Sequence, residues 1–112
     1  MSEFLNSPII NQEVSDIMKL QEKIIYETFY FFRLNTEEKI QHVRDLETLL
    51  EKQKIFHARL KLSDDPDAKF LLTKLTESAK VSGFLPSGDM NDAFAQFEKK
   101  IERMKSMLDI KD

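Results

Sequence analysis

The chain has 112 residues, 41% hydrophobic and 33% charged, with two glycines, three prolines and neither cysteine nor tryptophan. The absence of cysteine excludes a disulfide scaffold, a cysteine-ligated zinc site and a thiol nucleophile, and two glycines leave little for a phosphate-cradling loop. A net charge of −3 gives none of the basic excess through which duplex-DNA binders neutralise phosphates.

Apolar spacing is helical along most of the chain. Ser7-Pro8 sets a capping residue before a proline at the first helical position, where the missing N–H costs nothing. Ile10, Val14, Ile17, Met18, Ile24, Ile25, Phe29 and Phe32 then fall in one arc, predicting a first helix over about Pro8–Arg33 with these residues as its stripe. Asn35, with Glu38 three residues on, reads as a capping-box variant. It opens a second helix that carries Val43, Leu46, Leu49, Leu50, Phe56 and Leu60 and ends near Leu62. Asp65 caps and Pro66 starts a short third helix with Ala68, Leu71, Leu72, Leu75 and Ala79 on its apolar face. Both glycines and one proline fall within Ser82–Gly88, a clear loop, and Asp89 caps the last helix. There Met90, Phe94, Phe97, Ile101, Met104 and Leu108 follow the 4-3-4-3-4 spacing of a coiled-coil seam.

The expected fold is all-α: a long antiparallel helical hairpin (about 8–33 and 36–62), a short third helix and a heptad-patterned fourth, in one domain over 1–112. A helix of about 26 residues is about 39 Å long, whereas a compact globule of this size is only about 34 Å across. The hairpin therefore predicts an elongated shape with apolar surface left for a partner. Tyr26, Phe29, Tyr30, Phe31 and Phe32 place five aromatics within seven residues, pointing in several directions around the helix. Tyrosines add large contact area with a polar tip, so this cluster is a candidate self-association or partner surface. The fourth-helix seam, Met90, Phe94, Phe97, Ile101 and Met104, is the second candidate.

Candidate chemistry is sparse. Glu38, His42 and Asp45 share one side of the second helix and are metal ligands in kind, but in so charged a helix they read as a solvated polar patch. His57 lies in the apolar stripe one turn after Gln53, a placement that fits a hydrogen-bonded or register-fixing role, or a pH-sensitive interface. Asp64, Asp65 and Asp67 lack the glycine and distal glutamate of a calcium loop and fit helix capping. Lys52 and Arg59 share one side of the second helix while Lys54 and Lys61 share nearly the opposite one, forming two rims around the core stripe.

Several stretches resemble a family of small uncharacterised proteins of cyanobacteria and their phages, domain of unknown function 1825. They are Leu49–Phe56, Arg59–Asp65, Gly83–Pro86, Phe94–Phe97 and Ile101–Lys105, and their order and spacing resemble the family across about residues 4–107. The resemblance implies a small soluble helical protein in a cyanobacterial or cyanophage setting, and it brings no catalytic residues. Thr28–Leu34 departs from it, being aromatic where the family pattern is more polar and contains glycine.

The expected function is a non-enzymatic interaction or assembly protein, self-associating with a dimer favoured, with room for another protein partner and without cofactor or metal. No apolar run approaches the roughly 20 residues of a membrane span and no basic-then-apolar start resembles a signal peptide, so a cytoplasmic protein without membrane contact is expected. The alternative is a small regulator touching nucleic acid through Lys52, Lys54, Arg59 and Lys61. An enzyme or metal protein using His42 or His57 is the weakest reading.

Overall fold

The computed structural model describes residues 3–81 and 90–110. Among them every regular element is helical: α1 (Glu3–Asn6), α2 (Pro8–Phe29), a 3-10 turn (Phe31–Arg33), α3 (Thr36–Leu62), α4 (Pro66–Val81) and α5 (Met90–Met107). The 82–88 loop, the Asp89 cap and the Leu75 and Ala79 side chains lie outside the described residues.

The helix starts follow from local chemistry. Ser7 Oγ accepts from the Ile10 amide at 3.5 Å, with Pro8 at the first position. Asn35 Oδ1 accepts from the Glu38 amide at 2.8 Å while Glu38 Oε1 accepts from the Asn35 amide at 3.1 Å, a complete capping box. Asp65 Oδ1 accepts from the Asp67 amide at 2.9 Å, and the other carboxylate oxygen accepts from the Phe4 amide at 3.2 Å. Asp65 thus caps α4 and holds α1 against it. The first helix stops at Phe29 rather than Arg33, because Tyr30 leaves helical geometry and the chain tightens into the 3-10 turn.

Helices α2 and α3 form the expected antiparallel hairpin, with Lys23 facing Asp45, Asp16 facing Lys52 and Glu13 facing Arg59. Ile10, Ile17 and Ile24, seven apart, are the residues α2 buries. The arc expected as one stripe is wider than the face that α3 covers. Met18 and Ile25 each stand one residue beyond a core isoleucine, turned about 100° from it, and are exposed together with Phe29 and Phe32.

Helix α3 is buried on two sides. Leu49, Phe56 and Leu60 pack with the α2 isoleucines and Ala68 of α4, whereas Val43 and Leu50 pack with Phe94 and Ile101 of α5. Half-buried Leu46 and Phe97 join the two clusters. The molecule measures 46 × 31 × 26 Å with a radius of gyration of 15.7 Å. A compact chain of this length has a radius near 13 Å, so the structure is elongated along its hairpin.

Candidate functional site

The aromatic end of α2 is built on a polar base. His42 is 3% exposed, and its Nδ1 lies 3.0 Å from Glu27 Oε1. A carboxylate only accepts, so Nδ1 carries the proton. Lys23 Nζ reaches Asp45 Oδ2 at 2.6 Å, and Gln41 donates to the other Asp45 oxygen at 3.0 Å. The hydrogen bond from Lys23 to Asp45 raises the Lys23 pKa above its usual 10.5 against the cost of burial, and the charges of Asp45 and Glu27 add to it. Glu38, His42 and Asp45 therefore do not form a solvated patch. Glu38 is spent in the capping box, while His42 and Asp45 are buried and paired by α2. Phe31 turns inward: its ring lies 5.3 Å from the His42 ring, with Lys39 Nζ 5.5 Å away.

The other four aromatics stand outside this base. Tyr26 is 68% exposed, Phe29 74% and Phe32 75%, with Tyr30, Ile25 and Met18 exposed beside them. The Tyr26 and Tyr30 rings, one turn apart, lie 5.1 Å from each other, and the Arg33 guanidinium sits 5.7 Å from the Phe32 ring centre. Aromatic residues supply about 200 Å² each, so this surface exposes about 600 Å² of largely apolar side chain, the upper end for a typical monomer's largest patch.

The seam on α5 has a different fate. Phe94 and Ile101 are buried against Val43 and Leu50 of α3, and Met90, Phe97, Met104 and Leu108 are half-buried around them. The expected partner surface at Met90, Phe94, Phe97, Ile101 and Met104 is thus covered by α3 of the same chain, since α3 offers the facing apolar strip. A buried lysine beside it escaped the sequence reading. Lys105 is 8% exposed and reaches Glu47 at 2.9 Å, where Arg44 also binds Glu47 at 3.1 Å. Its only signal is a position next to seam residue Met104, where a long stem covers apolar surface.

The family profile described as Domain of unknown function (DUF1825) matches residues 2–108. The chain belongs to that family. No curated protein and no solved structure matches it significantly.

In this DUF1825 chain the basic rims of α3 face acidic neighbours. Arg59 Nε binds Glu13 at 2.6 Å and Lys52 lies 3.8 Å from Asp16, both on α2, while Lys54 lies 3.6 Å from Glu98 on α5. Three of the four rim cations are thus engaged across helices, with only Lys61 lacking a cross-helix ion pair among the described residues. His57 is half-buried and meets the Phe94 ring edge-on at 5.5 Å. It lines an open groove of about 440 Å³ between α3 and α5, with Lys54, Lys61, Asn91 and Glu98. Among the described residues no group of three His, Cys, Asp or Glu side chains can hold a metal ion, and no helix is long and apolar enough to cross a membrane.

Proposed function

We propose that the chain is a non-enzymatic assembly protein that associates with itself through the outer face of α2. One observation carries this reading: Tyr26, Phe29 and Phe32 are each more than two-thirds exposed, with Ile25 and Tyr30 exposed within the same eight residues. Leaving that much aromatic area in water is costly, and a standard interface removes about 800 Å² per partner. The exposed patch supplies most of that area. The polar base beneath it keeps α2 and the 3-10 turn in place, so the surface is presented without rearrangement. A cytoplasmic setting in cyanobacteria or phage-infected cells goes with this reading.

Sedimentation over the micromolar range tests it. The wild-type chain should populate a dimer, and Phe29→Asp should return it to monomer with unchanged circular dichroism, since Phe29 touches little of its own chain. A wild-type chain that stays monomeric at high micromolar concentration overturns the proposal.

A further inference from the structure

We infer that the partner is a second copy whose α2 packs antiparallel to the first across a two-fold axis, with Glu22 of each chain against Arg33 of the other. This rests on the self-association reading above and adds its geometry.

The pattern lies in α2 and the turn after it. Glu22, Tyr26 and Phe29 are spaced 4 and 3 apart on α2, the spacing of one helical face, and Arg33 follows in the 3-10 turn just past its end. All four are exposed. Arg33 is exposed in the 3-10 turn, with its guanidinium over the exposed Phe32 ring. Read along the chain, these four run acid, aromatic, aromatic, base, with the exposed Lys19 one turn before Glu22.

Such an order is complementary to itself in one direction only. A parallel copy would set Glu22 against Glu22 and Arg33 against Arg33. An antiparallel copy sets Glu22 against Arg33 at both ends and Tyr26 against Phe29 twice at the centre. Both pairings arise in the same register, with the axis between Tyr26 and Phe29. A two-fold interface is isologous and repeats each contact, so one pattern of four residues makes four contacts. Opposed charges at the ends fix register and direction, and the aromatic centre supplies the area.

The ion pairing of α2 points the same way. Glu13, Asp16, Lys23 and Glu27 each meet a side chain of α3. Glu22 and Arg33 have no ion pair among the described residues. On α2 itself Lys19 also lacks an ion pair among the described residues, so Glu22 and Arg33 are two of three such charges on α2 and the turn after it.

Charge swaps test the arrangement. Glu22→Arg gives a homodimer with Arg against Arg at both ends, and Arg33→Glu gives Glu against Glu. Each alone should raise the dimer dissociation constant by about tenfold or more. An equimolar mixture of the two variants should form a heterodimer in preference to either homodimer, because every end pair becomes Arg against Glu. The double variant E22R/R33E should recover the wild-type dissociation constant within about threefold. Native mass spectrometry of variants of distinct mass reads the species directly, and circular dichroism confirms that each folds. A wild-type dimer whose single variants dimerise normally, or whose mixture shows no heterodimer preference, overturns this register while leaving self-association standing. A wild-type monomer overturns both.

Discussion

Glu27 and His42 meet because α2 and α3 run antiparallel, and Lys23 and Asp45 meet one turn further along the same contact. Both pairs lie under the aromatic end, so their hydrogen bonds hold the segment that carries Phe29 and Phe32. The energetics of such a pair are asymmetric: a satisfied hydrogen bond adds about 1 kcal/mol, whereas a buried group left without a partner costs about 1–3 kcal/mol. Glu27→Gln keeps an acceptor for His42 Nδ1 and should change stability by less than about 1 kcal/mol. Glu27→Leu removes it and should cost about 1–3 kcal/mol, read from urea unfolding midpoints. Equal effects for the two variants would mean that the hydrogen bond contributes nothing. Spacing along α3 alone could not reveal this pair. Glu38, His42 and Asp45 look like one solvated set because the groups that bury His42 and Asp45 come from α2, and local periodicity does not report which faces meet.

At the scale of elements, the hairpin, its caps and the α4 start were legible because each depends on residues within one turn: Ser7-Pro8, the Asn35 and Glu38 box, and Asp65-Pro66. Helix α1 was not. Four residues are too few to nucleate a helix alone, and its anchor is Asp65, 61 residues away. The 3-10 turn was likewise hidden, because Phe31 is drawn inward by the His42 ring and not by any breaker residue. The seam of α5 was read correctly as a seam, yet heptad spacing says only that an apolar strip faces another. It does not say whether the other strip belongs to the same chain. Asp65 offers the sharpest test at this scale, since one carboxylate serves two elements. Asp65→Ala should cost about 1–2 kcal/mol as a lost cap and release α1 as well. Release would be seen as faster chymotryptic cleavage after Phe4 with the rest of the chain intact. Asp65→Asn keeps an acceptor for one of the two amides and should fall between the variant and wild type.

For the whole molecule, α3 is the wall that both apolar clusters share, while α2 and α4 lie on one side of it and α5 on the other. Among the described residues only Leu46 and Phe97 link the two sides. Stability in such an arrangement need not be lost all at once, because one side can open while the other stays closed. Amides of α5 should exchange with deuterium through a partial opening of lower free energy than the one that exposes Ile17 and Leu49. Ile101→Ala should widen that gap by destabilising the α3–α5 cluster by about 2–5 kcal/mol, leaving the slowest amides of the hairpin nearly unchanged at mild denaturant. A uniform loss of protection along the chain would show instead that the two clusters open together. The consequence reaches the aromatic surface, which sits entirely on the α2 side of the wall. With α5 opened, the face from Glu22 to Phe29 would keep its packing on α3, so the part of the protein predicted to peel open and the face proposed to meet a second copy are separate pieces of the same fold.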